Sequence, residues 1–367
     1  MRHDVLPISD LTEHDLSAWR ELGADALSPN PFAEPELVVP ATRAWALDDA
    51  QLLVVRDGSD WLAALPVRRA TSWRGVPGDV LAAWRHDYCF LCTPLVRAGE
   101  AEEALATLVR GAVQTSPAFS LDWFDADGRL AAPLMTALAA EARVVVLERF
   151  ERAALYRREQ DDYLERALSG RHRGGYRRTL RQLEREVGPV TVRDERDDPE
   201  AVGRFLELEA SGWKGETGTA MACDPVHAAF FSEIAVGFAR TGRFRMLSLV
   251  CEDRPIAMRV DLVAGDTTYG FKLAFAEDLS RYSPGIQLEI AATGSFNATG
   301  LARADSCTVP ENASMNRLWP DRRALVSAVA TRRGPAGAAA HLKWAAAARL
   351  APLRRRLTRP EAGVRGH

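Results

Sequence analysis

The feature that most constrains this chain is a repeat of very long period. Residues 35–47 carry a helical pattern of apolar residues and are followed by "QLLVVRDGSDWLAALPVRRA" (51–70), two apolar runs split by Asp57-Gly58-Ser59-Asp60. Turn residues between two such runs read as a β-hairpin. About 190 residues later the layout returns. Helix-like "VHAAFFSEIAVGFARTG" (226–242) precedes three strand-like runs in 244–276, broken at Asp253-Arg254 and Gly265-Asp266, and Pro225 stands before its helix as Pro35 stands before the first. Solenoid repeats recur every 20 to 50 residues or so, so a period this long points to duplication of a whole folding unit.

Each unit then mixes helices with a mainly antiparallel sheet, an α/β (α+β mixed) class. The first half adds a helix near 99–114, a strand "FSLDWF" (119–124), a helix near 129–142 and a strand "RVVVLERF" (143–150). The polar "RREQDD" (157–162) suggests a boundary, giving an N-terminal unit 1–156, a C-terminal unit 157–335 and an appendage 336–367.

With 367 residues, 47% hydrophobic and 26% charged, the chain has the composition of a globular protein large enough for two domains. A net charge of −3 gives no overall polyanion-binding signature. The N-terminal "MRHDVLPISDLTEHD" lacks an apolar h-region, and no window approaches the length of a membrane span. Five cysteines, an odd and scattered set, argue against a disulfide framework and for a reducing cytoplasm. Cys89-Phe-Leu-Cys92 has metal-like spacing, but it lies in an apolar run that reads as strand, with no second pair nearby, and no metal site is expected.

Two segments concentrate positive charge. "YLERALSGRHRGGYRRTLRQLEREVG" (163–188) holds seven arginines against three glutamates and reads as one or two helices interrupted near Gly174-Gly175. It is either a solvated face or a cationic wall for phosphates, whose oxygens match arginine forks. Residues 332–367 carry nine Lys or Arg against one Glu. The alanine-rich part favours a docking helix that Pro352 should end or kink, and the basic end offers a peripheral membrane contact.

The stretch "SRYSPGIQLEI" (280–290) carries the clearest site signal. Proline costs nothing at the first helical position, and Ser283 before it is a good N-cap. Gly285 leaves the opening turn bare. The exposed N–H groups and positive end of such a helix suit a phosphate, although many helices begin this way.

The order of "LELEASGWKGETGTAM" (206–221), "EDRPIAMRVDLVAGDTTYGFKLAFAEDLSRYSPGIQL" (252–288) and "ADSCTVPENASMNRLWPDRR" (304–323) resembles the acetyltransferases of the cellulose-biosynthesis (CelD/BcsL) type. These belong to the GNAT superfamily and are similar to the FemABX aminoacyltransferases, which have two GNAT-like domains. The likeness covers roughly 160–330, and "NPFAEPEL" (30–37) and "WRHDYCFLCTPLV" (84–96) extend it into the first half. It implies two tandem GNAT-like domains, with an acyl-CoA donor lying where 267–275 splays from its neighbour.

By this resemblance Phe275, Arg281, Ser283, Pro284, Gly285, Ile286 and Gln287 would bind the donor pyrophosphate, although only an arginine and one glycine of the usual pattern are kept. The donor would be acetyl-CoA or another acyl-CoA, an acyl carrier protein or, as in FemABX relatives, an aminoacyl-tRNA. The acceptor would be an amine of a small molecule or polysaccharide precursor.

Acyl transfer to an amine needs a deprotonated nucleophile and a stabilised oxyanion. Asp305 is the first candidate base, set against a strand-end carboxylate that caps a turn, and Lys272 is the second catalytic candidate, with Glu209 and Glu311 in reserve. Trp213, Lys214, His86 and Tyr88 are the acceptor-side candidates, although Trp213 and His86 also read as packing residues. Cys307 raises the question of a covalent intermediate, but direct transfer is what the resemblance implies. The first half has "TPLVRAGEAEEAL" (93–105) where the second has Ser-Pro-Gly, so its expected role is structural or acceptor-binding.

Overall fold

A computed structural model describes residues 1–45 and 49–357, apart from the side chains of Trp213, Ala336 and 351–357. The N-terminal half contributes strands β1 (Arg2–Pro7), β2 (Gln51–Asp57), β3 (Asp60–Trp73), β4 (Val76–Ala83), β5 (Leu95–Val96), β6 (Ala118–Asp125) and β7 (Arg143–Tyr156). The C-terminal half contributes β8 (Val190–Asp194), β9 (Phe244–Cys251), β10 (Arg254–Ala264), β11 (Thr267–Phe275), β12 (Arg303–Asp305) and β13 (Asp321–Thr331). All thirteen described strands join one mixed sheet, ordered β1-β2-β3-β4-β6-β13-β7-β12-β11-β10-β9-β8, with β5 on β3. The chain adopts the expected α/β class, but the sheets expected separately for the two units are joined into one large mixed sheet flanked by helices.

The repeat is visible in the elements. Helices Pro35–Ala44 and Pro225–Ala239 both begin on their prolines, and each leads into a hairpin. The first hairpin closes at Asp57↔Asp60 and the later pair at Cys251↔Arg254 and Ala264↔Thr267. Each half has one parallel strand pair, β4–β6 in the first and β11–β12 in the second. The halves are also interlaced. β13, from the C-terminal half, lies between β6 and β7 of the N-terminal half, and β7 in turn pairs with β12. Helices cover both faces of the sheet, so strands such as Leu52–Val55 are buried on both sides and read as unbroken apolar runs.

Several local expectations are corrected. The arginine-rich segment does not break at Gly174-Gly175. A short helix Tyr163–Ala167 stops before Ser169, whose side chain accepts from the His172 N–H and caps helix Gly170–Glu186, which runs through both glycines. Residues 86–94 are a loop rather than strand. The buried Asn30 side chain donates to the Leu91 and Thr93 carbonyls at 3.1 and 2.7 Å, taking bonds that a ladder would otherwise make.

The C-terminal helix Pro335–Leu357 continues past Pro352, carried by strong helix formers on either side. It docks by burying Trp344 against Val80, Val145 and Val329. The rest of the basic tail, 358–367, lies outside the described residues. No described helix is long and apolar enough to cross a membrane.

Candidate active site

Strands β11 and β12 define the centre of the site. They pair in parallel over only three positions, Thr267↔Arg303, Thr268↔Ala304 and Tyr269↔Asp305. Beyond Tyr269 the two chains part, and β11 continues to Phe275 with its backbone unpaired on that side. The fork opens into a cleft with about 540 Å³ of empty space, walled by Gly270, Lys272, Leu273, Glu289, Cys307 and Asn312 among others. On its other edge β11 pairs with β10, and the register shifts between Val260 and Asp261. That irregularity leaves Phe271 opposite no residue and turns both Phe271 and Lys272 toward the helices of the other face. Phe271 stacks with Phe231 at 6.2 Å, while Lys272 reaches Glu209. Bulges of this kind re-aim side chains beside active sites.

Helix Pro284–Gly294 starts beside the fork, with proline in its first turn as expected. Ser283 does not cap it. Placed between the preceding 3-10 turn Glu277–Tyr282 and the helix, Ser283 is held in the left-handed region (φ 53°, ψ 53°), its N–H bonded to the Ser280 carbonyl at 2.8 Å, and its side chain makes no cap bond. The N–H groups of Gly285 and Ile286 therefore have no partner within the helix. Gly285 serves close packing, since a Cβ there would sit 3.3 Å from the Phe275 ring and 3.4 Å from Leu273.

The other residues of this stretch are engaged with helix Gly170–Glu186. Gln287 is buried and donates to the Tyr176 carbonyl at 3.0 Å. Tyr282 donates to Glu186 at 2.6 Å, and exposed Arg281 pairs with the same carboxylate at 3.4 Å. The arginine-rich helix is thus clamped beside the start of the next one. Its Arg171, Arg177, Arg178 and Arg181 are exposed, with no ion pair among the described residues. Bare helix N–H groups beside such a cationic face fit the phosphates of an acyl donor.

On the opposite face of β11 the structure brings together residues that lie far apart in sequence. Glu209, almost fully buried, receives Lys214 and Lys272 on the same oxygen, each at 3.0 Å, and accepts the Met221 N–H at 2.9 Å on the other. Burial alone would raise the Glu209 pKa, but Lys272, the Met221 N–H and Lys214 outweigh it and keep the carboxylate ionised. Lys272 is lowered from its ordinary value, by burial first and against the pull of Glu209. Its ammonium lies 4.8 Å from the ring centre of Tyr88, which comes from the N-terminal half.

Tyr88 stacks on Phe230 at 5.5 Å, and its hydroxyl is pushed up to about 12 by burial and by Glu209. His86 packs against Trp45, Trp84 and Phe230, and burial among these rings pushes it down to about 3, so it is neutral near pH 7. Lys214, Lys272, Glu209, Tyr88 and His86 therefore line one region at the junction of the halves. The aromatic wall formed by Trp45, His227 and Phe230 carries no sequence pattern that singles it out. The Trp213 side chain lies outside the described residues, and its backbone opens a short helix, Trp213–Glu216.

Asp305 has an environment unlike that of a base. It is fully buried between Arg152, at 2.6 Å, and Arg323, and accepts the Cys307 N–H at 3.0 Å. Burial would raise its pKa, but the two guanidiniums hold it well below the usual carboxylate range. A carboxylate so placed has little tendency to take a proton, which speaks against the general-base role read from the sequence. Burial pushes the Cys307 thiol well above its ordinary value, so it is a poor nucleophile. Glu311 lies exposed in a turn. Cys89 and Cys92 are buried with sulfurs 3.9 Å apart, and no group of three or more potential metal ligands occurs among the described residues.

A forked parallel strand pair followed by a helix with a bare N-terminus is the arrangement that the resemblance to acyltransferases implied. Residues 170–312 match the family model described as "Acetyltransferase (GNAT) domain", and the protein is an acyltransferase enzyme. No curated protein matches the sequence. Among solved structures the chain is similar to that of FemX, with 11% identity over 91% of this chain and 96% of that one, and a TM-score of 0.56. It is also similar to the C-terminal domain of a putative lysylphosphatidylglycerol synthetase from Agrobacterium fabrum (14% identity, 90% and 95% covered, TM-score 0.56). A third similar structure is L-PGS from Bacillus licheniformis (15% identity, 92% and 96% covered, TM-score 0.53). At these identities the likeness is one of fold.

Proposed function

We propose that the protein is an N-acyltransferase that moves an acyl group, acetyl in the simplest case, directly from acyl-CoA to an amine. The observation that carries this reading is the fork of β11 and β12, with Lys272 on one side of β11 and an uncapped helix start on the other. The donor thioester would lie in the fork, its carbonyl toward the unpaired β11 backbone. Its phosphates would meet Ser283, Gly285 and Ile286 and the arginine-rich helix. The acceptor amine would approach from the Lys214, Tyr88 and His86 side and attack the carbonyl carbon. A C–N bond forms, the C–S bond breaks, and the amine's proton passes through water to the departing thiolate, leaving the amide and the free CoA thiol. Lys272, ion-paired with Glu209 at 3.0 Å, is placed to offset the negative charge that develops on the carbonyl oxygen.

In this reading the C-terminal half, 157–335, binds the donor and the N-terminal half supplies acceptor contacts, in a cytoplasmic enzyme. The acceptor is an amine on a small molecule or polysaccharide precursor, in keeping with the resemblance to the cellulose-biosynthesis type. A second reading, an aminoacyl-tRNA donor, is supported by the unpaired arginines of helix Gly170–Glu186 and by the shared fold with FemX and the lysylphosphatidylglycerol synthetase domain. The basic end of the chain would then serve a membrane or protein contact.

Calorimetric titration with acetyl-CoA, a medium-chain acyl-CoA and charged tRNA, followed by transfer assays on an amine panel, tests both readings. Acyl-CoA binding that is lost when a bulky residue replaces Ser283 supports the first, and tRNA binding with steep salt dependence supports the second. Binding of neither donor class would overturn the site.

A further inference from the structure

A second cavity lies on the sheet face that carries helix Pro284–Gly294, toward that helix's C-terminal end and away from its bare start. It holds about 820 Å³ of empty space, including its open mouth. Its walls combine charged residues with an apolar part made by Leu155 of β7, Leu247 of β9, Phe296 and Trp319, the last in the segment before β13. The acyl-transfer chemistry described above makes no use of it.

Three arginines line this cavity, and two are already neutralised. Arg196 pairs with Asp194, and Arg259 is held by Asp261 at 2.7 Å and by Glu289. Arg245, on β9, differs from both. It is half-buried, and no hydrogen bond or ion pair reaches its guanidinium among the described residues. Burial and the neighbouring Arg196 act against its charge, and Asp261 and Asp194 offset them only in part, so a bound anion bonded to the guanidinium would relieve the remaining cost. In the same wall the hydroxyl of Thr268, a residue only 5% exposed, also lacks a hydrogen-bond partner among the described residues.

We propose that this cavity binds a small monoanionic carboxylate with an apolar body, its carboxylate on the Arg245 fork and its body against Leu247, Phe296 and Trp319. A guanidinium fork matches a carboxylate in a bidentate manner. Asp194 and Asp261 flank the site and would repel a dianion, which disfavours phosphate and phosphate esters. Arg259 borders both this cavity and the cleft at the fork, so an occupant here would sit one side chain away from the acyl-transfer site.

The test is isothermal titration calorimetry of the full-length protein with octanoate and 3-phenylpropionate, beside octanol and inorganic phosphate. Both carboxylates should bind with a millimolar or tighter Kd. The uncharged alcohol and inorganic phosphate should each bind at least about tenfold more weakly, as should octanoate to Arg245→Gln, because one charge-assisted hydrogen-bond pair is lost. Should Arg245→Gln not fold, Ala292→Phe fills the cavity while leaving the guanidinium in place, and it should also weaken octanoate binding. The proposal is overturned if the alcohol or phosphate binds as well as the carboxylates, if neither carboxylate binds, or if a folded variant binds octanoate as tightly as the original. Acetyl-CoA titrated in parallel reads the fork independently, so failure here is distinguishable from failure of the acyl-transfer reading.

Discussion

Arg152, on β7 of the N-terminal half, and Asp305, at the end of β12 in the C-terminal half, meet through Nε and Oδ1 at 2.6 Å with both side chains closed to solvent. Arg323 from the interlaced β13 reaches the same carboxylate and, at 2.6 Å, also Asp125 on β6. One buried charge cluster therefore ties four strands together where the two halves cross, close to the point at which β11 and β12 separate.

This arrangement predicts a structural phenotype for Asp305→Asn. Removing one member of a buried ion cluster leaves guanidiniums uncompensated and costs about 3 to 5 kcal/mol, read as a lowered midpoint in urea unfolding. Activity per folded molecule should survive. A catalytic base would behave the other way, with turnover abolished and stability spared.

Why Asp305 invites the wrong role is physical. The sequence shows "RADSC" at a strand end beside the expected donor pocket, but Arg152 and Arg323 arrive from strands more than a hundred residues away and from β13, respectively. Local features were legible because local chemistry sets them. Pro35 and Pro225 open helices, and Asp57-Gly58-Ser59-Asp60 closes a hairpin. Strand order is another matter, since an apolar run such as "RALVSAVAT" states that both faces are covered but not which strands flank it. The site divides in the same way. The start of helix Pro284–Gly294 could be read from three residues, whereas Glu209 as the shared partner of Lys214 and Lys272 depends on a bulge between Val260 and Asp261 that no residue pattern announces.

Glu34 and Arg243 form a second link between the halves, and it should leave a signature in pH dependence. Burial, only partly opposed by Arg243, raises Glu34 from an ordinary 4.5 to about 7. Between those values the unfolded chain has released a proton that the folded chain keeps. Stability should thus be greatest below about pH 4.5, fall as pH rises toward 7 and level off above it. Glu34→Gln should remove that contribution, on the order of 3 kcal/mol, from urea-unfolding free energies measured between pH 4.5 and 8. An unchanged slope in the variant would exclude Glu34 as its source.

Lys272→Met separates a catalytic role from a packing one. Glu209 keeps Lys214 and the Met221 N–H, so the variant should fold. If the ammonium offsets charge in the transition state, kcat should drop on the order of a hundredfold with little change in donor KM. Lys272→Arg should restore part of it. A loss confined to KM, or one matching the loss of folded protein, would remove Lys272 from the chemistry.

The arginine-rich helix distinguishes the two donors. Arg177, Arg178 and Arg181 are exposed and unpaired among the described residues, so replacing all three with Gln should change stability by less than about 0.5 kcal/mol each. The helix is nevertheless fixed against the donor-side turn through Tyr176 and Gln287 and through Glu186 and Tyr282, so its charges stand where donor phosphates would lie. A polynucleotide donor would touch many of them. For a single-stranded acceptor end, the slope of log affinity against log salt should shrink by roughly 0.7 for each contact removed. An acyl-CoA has few phosphates and would meet the helix only over the stretch from Tyr176 to Glu186 that faces the donor-side turn, so the triple variant should weaken it several-fold with a small change in slope. Charged tRNA and acetyl-CoA titrated against both proteins at several salt concentrations would decide between the donors. Affinity for both that is indifferent to the three arginines would return the helix to a solvated face.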